Sequence, residues 1–399
     1  MNAPYPLEAA PADRVRPRLA ALRRAWPLAL ALLVIAVLGA GLVFSRYGRV
    51  ATLSALLLPD MMVDLPVRPV TWLTPEPIVE HAYIDYGSGG ITTDIYRPAD
   101  GDPHGAIVFS MGAPPLDLDD PRLVKLTEDA ARAGLVMAVP FSSRLEAELI
   151  EPEEIDALVG VFEHLRSQPY VDSGRVGYMG VSVGGSLALL AAADPRISDD
   201  VDYVVSFGAY YDALDTLAAV SSRRIEYEGE TEAWTPERHT VRVMAQQLIA
   251  ELEDERDRRV LRDAFVRRRT VPASDIEALT PEGRAAYDFM TNDDPARTEE
   301  LLAALPAAAL QRLERLSPAR VVDRLGGELF IVHDRGDEFI PYVESRRLRD
   351  ALADREDVHF TEVSLFEHVE PRLSRGGRVI VIDGARLYFR LYQLLLRLS

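Results

Sequence analysis

The segment Gly180-Val181-Ser182-Val183-Gly184-Gly185 restricts the possible folds of this chain more than any other feature. An apolar stretch, 175–179, precedes it, and a stretch rich in alanine and leucine, 186–193, follows it. The first is typical of a buried strand and the second of a packed helix. A G-x-S-x-G segment in this setting predicts a tight turn that lifts the serine hydroxyl clear of a sheet. Side chains at the flanking glycines would collide with the neighbouring strand and helix.

Ser182 is therefore a candidate nucleophile. A serine hydroxyl is a weak nucleophile until a base accepts its proton, and the first amides of the following helix would favour developing negative charge. A bare G-x-S-x-G also arises by chance, so a glycine-rich turn without chemistry is the alternative. The nucleophile interpretation requires a histidine and a carboxylate further along the chain.

Both residues are present, each after a predicted strand. The apolar run 329–332 is typical of a buried parallel strand, and it leads into the turn-rich segment 333–341. Asp337 in that segment is the predicted orienting acid. A later strand, 358–363, is followed within a few residues by His368. We predict His368 as the base, because a loop at the strand end can carry it over the serine.

Other acids and histidines compete for these roles. Asp334 and Glu338 remain alternatives for the acid, although Asp334 comes one turn too early to reach past the sheet. The chain has seven histidines. His333 and Asp334 lie at the strand tip and are candidates for shaping the site, whereas His359 lies inside a strand. We interpret the rest as surface or satisfied core residues: His81, His104, His164 and His239.

The order Ser182, Asp337, His368, with alternating strands and helices, resembles the α/β-hydrolase superfamily. The most similar members are dienelactone-hydrolase-like and acyl-peptidase-like. Those relatives carry a segment like 171–177 before the serine, and 333–341 resembles their H-G-x-x-D-x-x-V-P motif, with Asp334 in place of its glycine. The resemblance covers roughly 78–399, excluding a central insertion. It implies an α/β-hydrolase fold, with a mostly parallel sheet flanked by helices, and serine-hydrolase chemistry without a cofactor.

Two backbone amides are expected to bind the oxyanion that such chemistry forms on the carbonyl oxygen. One is predicted to be the amide of Val183, directly after the nucleophile. The other is predicted in the loop after the strand 106–110, at Met111 or Gly112. The alternative for this loop is a tight turn before the prolines that follow it. No lipase-type H-G-G-G segment is present.

The N-terminal region predicts a membrane anchor. Residues 1–24 are predicted to be a cytoplasmic segment, because arginines cluster there. The uncharged apolar stretch within 25–44 is about as long as a transmembrane helix requires. Only Arg46 and Arg49 follow closely, so the positive-inside rule predicts an extracytoplasmic catalytic domain on a single-pass signal anchor. A cleaved signal peptide is the alternative.

The remainder divides at changes of pattern. Residues 45–77 contain five clustered prolines and are predicted to be an extended connector. Strands alternate with helices over 78–211 and 323–399, which predicts the two parts of an α/β core. The charged stretch 212–322 has helical periodicity and is predicted to be a cap over the site. A solvated insertion without substrate contact is the alternative.

Composition narrows the partners. A net charge of −19 argues against a nucleic-acid partner. The chain has no cysteine, which excludes disulfides and thiolate chemistry. No metal-ligand spacing or dinucleotide fingerprint occurs, so no metal or cofactor is predicted. The predicted substrate is a small carboxylic ester, with a short peptide or amide as the alternative. A catalytically inactive fold that serves as a scaffold is the remaining alternative.

Overall fold

A computed structural model describes residues 30–399 except 32, 36, 42–44, 64–67, 69, 88, 114–118, 369 and 373–375. The chain divides into two compact units, Met1–Leu53 and Ser54–Ser399. The predicted segment 1–24 lies outside the described residues, and the predicted anchor 25–44 lies partly outside them.

Within the part of the chain that the structure describes, no single helix is long and apolar enough to cross a membrane. One bent pair of helices, Leu33–Gly41 with Arg46–Met62, meets the requirement of length and composition only when the two are taken together.

An eight-stranded sheet forms the centre of the second unit. The strands, in chain order, are β1 Ile78–Asp85, β2 Gly90–Arg97, β3 His104–Ser110, β4 Val136–Phe141, β5 Val171–Val181, β6 Tyr203–Phe207, β7 Arg224–Tyr227, β8 Glu230–Ala233, β9 Glu328–Asp334, β10 Val358–Val363, β11 Phe366–Glu367 and β12 Glu370–Pro371. The large sheet has the order β1-β2-β4-β3-β5-β6-β9-β10, and β7-β8 and β11-β12 form small hairpins.

Pairing in the large sheet is parallel except around β2, which is antiparallel to β1 and to β4. The central strands β3, β4 and β9 bury nearly every residue. Successive side chains point to opposite faces of a sheet, so both faces are covered. The strands predicted near 105–110, 329–332 and 358–363 are confirmed.

Helices supply this cover and make up much of the insertion 212–322. The helices before the insertion are Arg46–Met62, Val70–Leu73, Pro121–Arg132, Ser143–Glu146, Glu153–Arg166 and Val183–Ala192. Between β6 and β9 they are Ala213–Ser222, Arg238–Ala250, Glu255–Leu261, Ala273–Glu277, Pro281–Met290, Thr298–Ala303 and Ala307–Arg315. Tyr342–Ala351 and Gly377–Leu398 follow. A single hydrophobic cluster joins sheet residues such as Val108 and Tyr178 to insertion residues such as Leu248 and Phe289.

The prediction that 45–77 is extended is wrong for its first half, which forms the helix Arg46–Met62. The reason is the position of the prolines. Only Pro59 lies within the helix, in its last turn, and the other prolines come after it. A proline removes only its own N–H bond to the carbonyl four residues earlier, so the apolar residues before Pro59 keep their helical hydrogen bonds.

Buried polar contacts hold the insertion to the core. Arg312, only 4% exposed, donates two hydrogen bonds to Ile150 O, at 2.8 and 3.2 Å. The same guanidinium contacts Glu251 at 2.8 Å and Glu151 at 3.0 Å. A buried charge is tolerated only when it is paired in this way. This part of the insertion is therefore fixed to the loop that follows Ser143–Glu146.

Candidate active site

The turn after β5 holds Ser182 at a positive φ, with φ 57° and ψ −133°. The Ser182 amide donates to Phe207 O at the end of β6, at 2.8 Å. A Cβ on Gly180 would lie 2.3 Å from Gly184 O, and one on Gly184 would lie 2.2 Å from Met111 O. The predicted need for glycine at both flanks is confirmed. A non-glycine residue held at positive φ is often part of a functional site.

His368 and Asp337 form a buried pair. His368 Nδ1 lies 2.7 Å from Asp337 Oδ2, and the two residues are 7% and 2% exposed. The other oxygen, Oδ1, accepts from the amides of Phe339 at 2.7 Å and Ile340 at 3.1 Å. A carboxylate only accepts, so the network assigns the proton to Nδ1 and leaves Nε2 able to accept one.

A second histidine contacts the same carboxylate. His333 Nε2 lies 3.3 Å from Asp337 Oδ2 and 3.1 Å from Ile340 O, and His333 Nδ1 lies 2.6 Å from Ser345 Oγ. Burial acts to raise the pKa of Asp337. The charge of His368 and the hydrogen bonds from His333 and His368 outweigh it, so this pKa lies below its ordinary value. Asp337 therefore stays ionised at neutral pH.

The serine and the buried pair meet at the end of β6. A Cβ on Gly208 would lie 3.4 Å from His368 Cε1 and 3.5 Å from Asp337 Oδ2. The residue before it, Phe207, accepts the hydrogen bond from the Ser182 amide. In the described residues no hydrogen bond joins Ser182 Oγ to the His368 ring. Such bonds are often long until a substrate is bound.

The loop after β3 lies against the serine. A Cβ on Gly112 would come within 2.9 Å of Ser182 Cβ, and Met111 is buried with its carbonyl beside Gly184. Val183 is the first residue of the helix after the turn, so its amide has no partner within that helix. The structure thus places all three candidate oxyanion residues, Val183, Met111 and Gly112, around the serine.

The alternative acids occupy other positions. Asp334 is fully buried, and its carboxylate accepts from the amides of Gly336 and Phe366, each at 2.7 Å. Glu338 has an exposed side chain. Of the two carboxylates beside the His368 turn, Asp337 is the one bonded to the ring.

The sequence interpretation missed His239 as a neighbour of the site. His239 Nε2 contacts Ala113 O, directly after Gly112, and the His239 ring lies 6.2 Å from that of Phe339. The Phe339 ring in turn stacks on His368 at 4.6 Å. His239 and Ala113 are 126 residues apart. A local pattern carries no signal for so distant a contact.

Each of the other histidines contacts one polar side chain. The pairs are His81 with Asp94, His104 with Asp100, His164 with Gln168, and His359 with Glu328. Among the residues with described positions, no group of three or more His, Asp or Glu side chains is placed to hold a metal ion.

Comparison with known proteins gives structural matches only. No protein-family model matches the chain, and no curated protein matches it by sequence. It is similar to Pyrococcus horikoshii acylaminoacyl peptidase at 14% identity and TM-score 0.46, over 81% of this chain and 41% of the peptidase. It is similar to a Pyrobaculum calidifontis esterase at 13% identity and TM-score 0.45, over 90% and 97% of the two chains.

A third similar structure is a 2,6-dihydroxy-pseudo-oxynicotine hydrolase, with 14% identity, TM-score 0.46, and coverage of 80% of this chain and 68% of that one. The chain spans less than half the length of the acylaminoacyl peptidases it resembles. The assignment of the fold rests on the chain itself. Its sheet order, the serine turn after β5, and the acid and histidine after β9 and β10 are those of an α/β-hydrolase fold.

Proposed function

We propose that the protein is a serine hydrolase that cleaves a carboxylic ester through an acyl-enzyme. The observation that carries the proposal is the 2.7 Å bond between His368 and Asp337, next to the β6 end that holds the amide of Ser182. A nucleophile, a base and an orienting acid are the three groups that such chemistry requires.

In the proposed first step, Ser182 Oγ attacks the ester carbonyl and His368 Nε2 accepts the hydroxyl proton. Asp337 stabilises the imidazolium that forms, because its lowered pKa keeps the carboxylate ionised. The amides of Val183 and of Met111 or Gly112 donate to the oxyanion. His368 then returns the proton to the leaving alcohol as the carbon–oxygen bond breaks.

In the second step, water attacks the acyl-enzyme. His368 takes a proton from the water, the ester bond to Ser182 breaks, and the proton passes to Ser182 Oγ. The products are a carboxylic acid and the free enzyme, so the two steps balance with water as the only co-reactant.

The test is hydrolysis of p-nitrophenyl esters of short and long acids beside aminoacyl-p-nitroanilides. We expect ester hydrolysis that is lost in Ser182→Ala and retained in Ser173→Ala, an exposed serine earlier on β5. A kcat/KM for anilides equal to that for esters would make the enzyme a peptidase or amidase instead. A folded protein without activity on either would favour the scaffold alternative.

We also propose that residues 25–44 anchor the protein in a membrane, with the catalytic unit outside the cytoplasm. The proposal is supported by the arginine excess before the apolar stretch. Carbonate extraction should leave the full chain in the membrane fraction, and protease added to intact spheroplasts should degrade Ser54–Ser399. Protection of that unit would overturn the topology, and release by carbonate would overturn the anchor.

A further inference from the structure

The first part of the insertion contacts the catalytic loops directly. We call residues 234–240, at the start of helix Arg238–Ala250, the brace. We call residues 335–341, which follow β9 and include Asp337, the acid turn. Three groups of the brace donate to its carbonyl oxygens: Trp234 Nε1 to Asp337 O at 2.8 Å, the Glu237 amide to Glu338 O at 2.7 Å, and Thr240 Oγ1 to Phe339 O at 3.0 Å. The brace therefore fixes three consecutive residues of the acid turn.

The fourth contact of the brace is made with the loop that lies against Ser182. His239 Nε2 contacts Ala113 O in the loop that carries Met111 and Gly112. A carbonyl oxygen only accepts a hydrogen bond, so Nε2 carries the proton. His239 Nδ1 faces Arg242 Nη2 at 2.9 Å, and a guanidinium only donates. His239 therefore donates from Nε2 to Ala113 O, while its Nδ1 faces Arg242 and lies 3.7 Å from Glu148 Oε1.

The group that orients His239 is itself anchored. The Arg242 guanidinium forms an ion pair with Glu148, which is 8% exposed and adopts a left-handed conformation with φ 61°. Gln247 Nε2 donates to Glu148 O at 2.7 Å. Contacts therefore run from Glu148, in the loop after helix Ser143–Glu146, through Arg242 to His239, and they end at Ala113 O.

We propose that His239 is a positioning residue. Its hydrogen bond to Ala113 O holds the loop 111–113 against Ser182, so that the loop amides face the oxyanion. The inference deepens the proposed function and rests on it. Gly112 approaches Ser182 closely because it lacks a side chain, and the same lack leaves its backbone free to adopt other conformations. A fixed carbonyl on the next residue removes that freedom.

The contacts of the brace also bear on whether the insertion can open as a lid. A lid that opens would have to break four hydrogen bonds between the brace and the two catalytic loops. We infer that the brace is a fixed part of the active site. Removing the insertion should then abolish the reactivity of the serine, whereas loss of a mobile lid would only alter substrate preference.

The test compares His239→Phe, which keeps a ring but loses the donor, with His239→Gln, whose amide nitrogen can take the place of Nε2. In His239→Phe we expect kcat to fall about tenfold to a hundredfold with KM unchanged, since an oxyanion contact acts mainly in the transition state. We expect His239→Gln to recover most of kcat. Arg259→Ala, at an exposed position of the insertion outside the brace, should match the wild type.

A second measurement is independent of activity. Amide hydrogen exchange of Gly112 and Ala113 should be faster in His239→Phe than in the wild type and restored in His239→Gln. Equal losses of kcat in both variants, or unchanged exchange, would overturn the inference. A rise in KM alone would make His239 a substrate contact instead. A wild type without hydrolase activity contradicts the proposed function, and the exchange measurement still tests the loop contact.

Discussion

Asp334 replaces the glycine of the related motif, and its contacts predict a specific cost of altering it. The carboxylate is fully buried and joins Gly336, in the acid turn, to Phe366, two residues before His368. In Asp334→Asn the remaining oxygen can still accept one of the two backbone hydrogen bonds. The new NH2 group faces the other backbone N–H, and two donors cannot form a hydrogen bond. A hydrogen bond to a charged group contributes about 1.5–3 kcal/mol, so we expect the unfolding free energy to fall by about 2–3 kcal/mol.

The same change should reduce activity, because Asp334 links the turns that carry Asp337 and His368. A small displacement of a catalytic group is costly, and we expect kcat to fall about tenfold or more. Asp257→Asn is the matched control: Asp257 is 1% exposed, and its carboxylate accepts from the Thr280 amide at 3.3 Å within the insertion.

Urea unfolding gives the free energies, and kcat on a p-nitrophenyl ester is measured well below the unfolding midpoint. The control should lose comparable stability and keep its kcat within about twofold, since sites without shared partners act independently. The reasoning is refuted if Asp334→Asn changes the unfolding free energy by less than about 0.5 kcal/mol, the scale of an uninvolved surface change. It is also refuted if both variants lose the same fraction of kcat.

Three further changes have defined outcomes. Gly184→Ala would place a Cβ 2.2 Å from Met111 O, so fluorophosphonate labelling should fall sharply, whereas Gly174→Ala, whose Cβ meets only a carboxylate at 3.6 Å, should label normally. Asp337→Asn should lower kcat about a thousandfold with little change in KM, measured by steady-state ester hydrolysis, because the histidine tautomer is no longer fixed. Burial raises the pKa of Glu344 from 4.5 to about 7. The stabilisation contributed by protonated Glu344 is therefore present below the ordinary pKa and is lost as pH rises through about 7. Between pH 5 and pH 8, the unfolding free energy measured with urea should fall by up to about 3 kcal/mol more in the wild type than in Glu344→Gln.

Local pattern predicted much of the core. The apolar runs at β3, β9 and β10 are confirmed as strands, and the glycines beside Ser182 occupy the close approaches expected of them. These features depend on neighbours within a few residues, and hydrophobic periodicity reports such neighbours well. The roles of Asp337 and His368 as catalytic groups remain predictions, and the structure places the two side chains 2.7 Å apart.

Contacts between residues distant in sequence cannot be predicted from local pattern. His239 was set aside because nothing near it in sequence marks it, yet tertiary folding brings it to Ala113. Asp334 is predicted as an alternative acid and as a residue that shapes the site, but its bond to the Phe366 amide joins residues 32 apart, and local pattern does not report such a contact. The helix Arg46–Met62 differs from the extended prediction because the prolines of 45–77 lie in its last turn and beyond its end.

The most direct test of the account is the identity of the residue that reacts with a fluorophosphonate probe. The full chain in detergent is labelled beside Ser182→Ala, His368→Ala and Ser173→Ala, and the modified peptide is identified by mass spectrometry. The account predicts one adduct, on Ser182, that is lost in the first two variants and kept in the third. An adduct on another residue, or a folded wild type that does not label, would contradict it.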